Sequence, residues 1–542
     1  MRIGIIMSVI RKRGKRMRLS NCRFPILKEY KGCAKAIVLL MFLLHWPKFN
    51  ASIIGIDTES IIWDESGLYK GWLITGRQGL VMLKYLFGNA SFNPWFSAML
   101  TMLTFPLAVI GFYLLWDKAG GRKNSIVVWL VGSLLWISHP VVTEQLYFSL
   151  QSFEISLGIL LTAAALYLTF VWTENLHRLW SFLLSVCLLL LTFSIYQAFV
   201  PLYIFGAVSV LLLQALRKLS EGEQKLFYKM APRMGSWFLT FLTAFIINAI
   251  ITRLFFSASD YLMNQIQWGT ISVSEVFWRI LGHIASVLLG RRLFYSIFYG
   301  LLLVCSLVLL AVYLWKFHRS NLKGCITVCF FYVSLQITPF LMTILQGGEP
   351  AFRSQLVLPA MTGFQAILST WLLKELDISR NRVRQVLLVC ISVLGFLGGI
   401  HTAKTTWSLY YTDQLRYEQD AALGRSLIER LEQACSREDL HSLPVVVVGR
   451  RPFQVNNSCV QGQVMGYSLF DWDITSEPIP YFSTRRVLGF LHTLGADYLL
   501  APADKMGEAV SISMYMPEWP AEGCVQIQND MIIVKLSDLG IK

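Results

Sequence analysis

"FEISLGILLTAAALYLTFVWT", residues 153–173, carries a single charge, Glu154, at its start and is otherwise apolar or small. About twenty such residues in an α-helix cross the hydrocarbon core of a bilayer. The chain repeats this pattern. Comparable runs fall at 36–55, 95–116, 125–144, 179–197, 199–216, 236–256, 293–315, 324–345, 354–373 and 385–403, which predicts about eleven spans. Two places are ambiguous: the first run holds His45, Pro47 and Lys48, and "SIYQAFVPLY" (194–203) reads equally as a re-entrant turn. A chain of 542 residues with 55% hydrophobic residues, 15% charged residues and a mean hydropathy of +0.53 is too apolar for a soluble globular protein of this size. The fold class is a polytopic α-helical membrane protein.

Lys and Arg concentrate in alternate connections, as they do on the cytoplasmic side. "RKRGKRMRLSNCR", "DKAGGRKN", "RKLSEGEQKLFYKMAPR", "KFHRSNLK" and "KELDISRNRVR" are basic, whereas "YQAFVP" and "QGGEPAF" hold neither residue. The N-terminus is therefore expected inside and the connection after the first span outside. An odd number of spans puts the C-terminus outside as well. The net charge of +15 reads as this topology signal and as attraction to anionic lipid, not as a nucleic-acid surface. The first 30 residues are too polar for a signal peptide, so the first span is read as a retained anchor.

Three regions follow: a basic cytoplasmic segment at 1–35, a membrane bundle at 36–404 whose first external loop is 56–94, and a mixed, charged segment at 405–542. The last has the length of a small domain. "TDQLRYEQDAALGRSLIERLEQA" and "TRRVLGFLHTLGA" have helical periodicity, and "PVVVVG", "YLLAP" and "MIIVKLS" read as strands, so an extracytoplasmic α/β unit is expected. Its "VVVVGRRP" turn has one glycine and lacks the pattern of a phosphate loop. Cys187, Cys305, Cys325, Cys329 and Cys390 lie in spans and read as packing. Cys435, Cys459 and Cys524 leave room for one disulfide.

The interiors of the spans are nearly free of charge, which argues against an ion-coupled transporter. Polar groups gather at the outer ends instead: His139, Glu144, Gln145, Glu154, Tyr196, Gln197, Arg353 and His401. The outer connection 257–292 alternates apolar and polar residues as an interfacial helix would, either as a covering lid or with a part in binding acceptor or lipid. The first outer loop, "IIGIDTESIIWDESGLYKGWLITGRQG" (53–79), holds Asp57, Glu59, Asp64 and Glu65 ahead of Arg77. Transfer of a sugar from a lipid phosphate needs a carboxylate to take the proton of the attacking hydroxyl and cationic groups to hold the leaving phosphate. Both kinds are present if residues 60–75 turn back to the mouth of the first span. From charge pattern alone they read equally as solvated surface acids.

The ordered motifs "GIDTE", "GLYKGWLITGRQGL", "HPVVTEQLYFSLQSFEISLGILL", "SIYQAFVPLY", "AFRSQLVLPAMTGF" and "EWPAEGCVQIQNDMIIVKLS" resemble the membrane-bound type II glucosyl transferases of O-antigen modification, the enzymes of serotype conversion. The resemblance covers nearly the whole chain. The family's acidic cluster often has two adjacent aspartates before a glutamate; here it reads Asp57, Thr58, Glu59. The resemblance implies a GT-C-like architecture in the bacterial cytoplasmic membrane, with hexose, habitually glucose, passed from a polyprenyl-phosphate donor to lipopolysaccharide or another surface glycan. It also implies a companion flippase and a donor-lipid synthase as partners.

Carried over by residue, it makes Asp57 the general base with Glu59 assisting. Arg77 and Arg353 are then placed on the donor phosphate, and Asp64, Glu65, Glu144, Gln145, Tyr196 and Gln197 on sugar or acceptor. No metal ligands are assigned, although Asp57 and Glu59 could hold a divalent cation. A lipid-linked sugar flippase and an oligosaccharide polymerase or ligase remain open alternatives.

Overall fold

The computed structural model describes residues 30–49, 53–256, 265–376, 381–473 and 479–538. Most of the basic segment 1–35 and the start of the 257–292 connection lie outside these. Helices lie in every stretch expected to span, although in the first run the helix gives way to a 3-10 turn at Trp46–Phe49. Eight are long and apolar enough to cross a membrane, and nine if a bent pair counts as one. The difference from about eleven comes from three places. The run at 125–144 is two helices, α6 (Ile126–Ile137) and α7 (Pro140–Tyr147), bent by 54°. Pro140 disfavours a helical His139, and His139 takes extended angles, its ring nitrogen accepting the Val141 N–H. α9 (Leu179–Ile195) is short, and α16 (Val357–Glu375), buried along almost its whole length, falls outside the qualifying set.

The remaining bundle helices are α1 (Lys31–His45), α5 (Pro94–Gly120), α8 (Ser149–Glu174), α10 (Phe199–Ser220), α11 (Leu226–Phe255), α13 (Ile297–Phe317) and α14 (Leu322–Ile337), the last extended by a 3-10 turn into α15 (Leu341–Gln346). Three short helices follow α1: α2 (Thr58–Trp63), α3 (Glu65–Ile74) and α4 (Gln78–Leu86). The 257–292 connection contains α12 (Val273–Leu289), which buries Val276, His283 and Val287 and leaves Phe277 and Trp278 exposed. Its exposed face mixes these apolar side chains with the Glu275–Arg279 ion pair, as an amphipathic interfacial helix does.

The last bundle helix, α17 (Asn381–Ala434), runs through the expected boundary at 404 without a break. At 1.5 Å per residue its 54 residues extend about 80 Å, far beyond the roughly 30 Å of hydrocarbon. Its apolar half packs closely on α6: a Cβ at Gly399 would lie 2.3 Å from Leu134 Cγ. Its polar half becomes the stem of an α/β unit. After α18 (Arg437–Ser442) come β1 (Pro444–Val448), α19 (Tyr481–Thr493), β2 (Leu499–Leu500), α20 (Ala503–Ser513), β3 (Val525–Gln528) and β4 (Met531–Lys535). The sheet order is β2-β1-β4-β3, parallel except for the β3–β4 hairpin. That hairpin turns on Asn529 and Asp530, both at positive φ, the pair of conformations a tight hairpin needs. Val445 and Val447 face the core shared with α19, while Val446 and Val448 face α20. The cysteines of the described residues, Cys435, Cys459 and Cys524 included, are free thiols.

Candidate active site

The acidic loop is pinned before its acids are reached. The Ile56 N–H donates to the Tyr147 hydroxyl at 2.9 Å, and a Cβ at Gly55 would lie 2.7 Å from Tyr147 Cζ, so only glycine lets the backbone approach this ring. The Ile54 carbonyl accepts from Arg416 Nη1 at 2.9 Å. Arg416, on α17, is buried between Asp413 (2.6 Å) and Asp420 (3.4 Å). Asp420 in turn accepts from Ser468 Oγ and the Leu469 N–H. The chain then turns into α2 through Asp57 at φ 69°, a left-handed conformation that non-glycine residues seldom adopt and that costs on the order of 1 kcal/mol.

That turn puts Asp57 and Glu59 on one side of α2, against α19. Arg486 of α19 donates from Nη1 to Glu59 Oε1 at 2.5 Å and from Nη2 to Asp57 Oδ1 at 3.2 Å, and its Nε bonds Asp473. The next residue back, Arg485, donates to Asp64 Oδ2 at 2.9 Å, whose other oxygen caps α3 through the Gly67 N–H. The two catalytic candidates are not equivalent. The Glu59 side chain is 0% exposed and Asp57 44%. Burial pushes the Glu59 carboxyl up to about 7; Arg486 opposes this and Asp57 adds to it. A buried acid of this kind anchors Arg486, while the exposed one can meet a solute.

Arg77 begins α4 and lies 5.0 Å above the Tyr196 ring, with Nη1 3.4 Å from Gln151 Oε1. Gln197 bonds the Thr75 carbonyl at 2.8 Å, so Arg77, Tyr196 and Gln197 are brought together. Arg353 stands 4.9 Å above the Phe148 ring. Glu144 Oε1 accepts the N–H groups of Gln463, Val464 and Met465, so it holds the C-terminal unit onto the bundle. Gln145 is buried with both amide atoms unpartnered, and Glu65 opens α3. Residues 147–151, the corner between α7 and α8, link three of these groups: Tyr147 holds the acid turn, Phe148 carries Arg353 and Gln151 meets Arg77. Lys48 completes that corner, its Nζ donating to the Leu146 carbonyl (2.5 Å) and Ser149 Oγ (2.9 Å).

Sequence reasoning missed Arg485, Arg486, Asp473, Arg416 and Lys48. The adjacent arginines are visible in "TRRVLGFLHTLGA", but their partners lie more than 400 positions earlier. Arg486 bridges Asp57 and Glu59. Among the described residues no group of three or more His, Cys, Asp or Glu side chains is arranged to hold a metal ion.

A bundle of long apolar helices with carboxylates and arginines gathered at one end is a membrane protein with the groups for acid–base chemistry on a charged substrate. The model of the glucosyl transferase GtrII family matches residues 48–370, and the chain belongs to that family. The match contains Asp57, Glu59, Arg77 and Arg353 and ends before α17, so Arg485 and Arg486 lie beyond it. No curated protein and no solved structure matches the chain.

Proposed function

We propose that the chain transfers glucose, with inversion, from a polyprenyl-phosphate donor to a hydroxyl of lipopolysaccharide O-antigen at the outer face of the bacterial cytoplasmic membrane. The observation that carries this is the half-exposed Asp57 carboxylate at the mouth of the first span, fixed by Arg486 beside the buried Glu59. The Lys and Arg bias of the opposite loops supports an outer position for that mouth. Asp57 takes the proton of the acceptor hydroxyl as its oxygen bonds the anomeric carbon; the bond from that carbon to the phosphate oxygen breaks, and polyprenyl phosphate leaves with the electron pair. Arg77 and Arg353 hold the developing phosphate charge, a task that suits the guanidinium fork. Tyr196 and Gln197, beside Arg77, face the sugar. Glu59 acts through Arg486 as a positioning residue.

Proteoliposomes of the full chain given radiolabelled polyprenyl-phosphate glucose and lipopolysaccharide test this. Label is expected in the polysaccharide, in a linkage of inverted configuration. Donor crossing between leaflets with no label transferred would make the protein a flippase instead.

A further inference from the structure

At the end of the bundle opposite the acids, α5, α8 and α10 finish and α11 begins, and their ends line a half-open cavity of about 330 Å³. That volume is at the lower end of the roughly 300–1,000 Å³ of ligand pockets. Its lining holds four cations, Lys118, Arg217, Lys218 and Arg233, and two carboxylates, Glu174 and Glu221. The acids do not offset the cations evenly. Arg233 bonds Glu174 at 2.5 Å, and Arg217 bonds Glu221 at 2.8 Å. The second pair is half exposed and screened. Lys118 and Lys218 make no ion pair among the described residues; the Lys118 ammonium sits 4.4 Å above the Tyr167 ring and donates to its hydroxyl. Four cations against two carboxylates thus leave a net excess of positive charge around one half-open, partly apolar space, although Glu174 and Glu221 also act on Lys218. Beside it, the first turns of α9 and α11 leave Leu179, Trp180, Phe227 and Tyr228 exposed, the amphipathic rings and apolar side chains expected at the level where head groups give way to acyl chains.

We infer that this cavity is a binding site for an anionic phospholipid, its phosphodiester held by Lys118, Lys218 and Arg233 and its acyl chains lying on the exposed aromatic and aliphatic surface of α9 and α11. A basic pocket between helix ends meets a lipid phosphate with charge and a snug rim together. A scatter of cations placed only for topology has no need to line a shared space. The site is separate from the proposed sugar transfer and stands without it.

Native mass spectrometry of the full chain in detergent, after delipidation and addition of phosphatidylglycerol, phosphatidylcholine or inorganic phosphate, tests the assignment. Phosphatidylglycerol is expected to stay bound in preference to phosphatidylcholine. It is expected to be lost about thirtyfold more readily from Lys118→Gln/Lys218→Gln, two charges at the usual weight of a basic residue against an anionic lipid. Lys118→Arg/Lys218→Arg is expected to retain it. Equal retention of the two lipids, displacement of the lipid by equimolar inorganic phosphate, unchanged retention in the glutamine variant, or loss in the arginine variant would each overturn the assignment.

Discussion

Replacing Arg486 with methionine tests how the C-terminal unit serves the site. The guanidinium is 11% exposed and meets three carboxylates, of which Glu59 is fully buried. Breaking a buried pair by removing one partner costs on the order of 3–5 kcal/mol when the survivor stays charged. Glu59 has an escape, because burial already raises its carboxyl to about 7, and without Arg486 it takes up a proton near neutral pH. What remains is chiefly the loss of the charged hydrogen bond to buried Glu59, about 1.5–3 kcal/mol, since the bonds to the more exposed Asp57 and Asp473 are screened and weigh less. The expected loss is therefore about 3 kcal/mol at pH 7, growing at higher pH where the escape costs more. Thermal unfolding of the purified chain, with limited proteolysis of the region after residue 434, gives the stability. A double-mutant cycle with Glu59→Leu, which removes the partner altogether, isolates the pair. A coupling of about 2–3 kcal/mol is expected, together with a fall in the turnover number as the Asp57 turn loosens. Additivity within about 0.5 kcal/mol would refute the view that this ion pair docks α19 on α2.

Glu59 also gives a pH dependence. Its folded carboxyl, near 7, holds a proton more tightly than the ordinary carboxyl at 4.5, so the folded state binds more protons in that window and stability falls as pH rises through it. Melting temperatures at pH 5 and pH 8 are expected to show this fall in the wild type and a flatter profile in Glu59→Gln. Arg77→Ala is expected to lower kcat/KM for the donor about 100-fold, the usual effect of removing one donor to a developing charge; unchanged steady-state kinetics would remove Arg77 from the phosphate site. Glu144→Ala leaves three backbone N–H groups without their carboxylate, at a cost of about 3 kcal/mol. Proteolysis between residues 456 and 470 is expected to accelerate, and less so in Glu144→Gln.

The bundle was legible because apolar runs of spanning length depend only on local composition. Residues 58–86 form three short helices, and the breaks between them fall at Asp64, which caps α3, and at the positive-φ Gly76. The end of the membrane region at 404 was visible only as a change in hydropathy. No helix breaker accompanies it, so α17 carries the chain straight through. Arg486 was out of reach for another reason: an ion pair between residues 59 and 486 leaves no periodic or spacing signal in either segment. Glu144 looked like a site residue because an acid at an outer helix end is unusual, and its real neighbours, three amide groups of residues 463–465, become its neighbours only through tertiary contact. Lys48 read as a flaw in the first span and proves to brace the 147–151 corner.

Asp57 as the group that takes the acceptor's proton is the centre of the account, and transfer by Asp57→Asn is the direct measurement. In membranes supplied with labelled polyprenyl-phosphate glucose and lipopolysaccharide, Asp57→Asn is expected to bind donor normally and lose transfer by about 100-fold or more, from the lower end of the range for a general base upward. Glu59→Gln, which keeps a hydrogen-bonding partner for Arg486, is expected to retain a substantial part of the rate. Transfer by Asp57→Asn at the wild-type rate would contradict the mechanism.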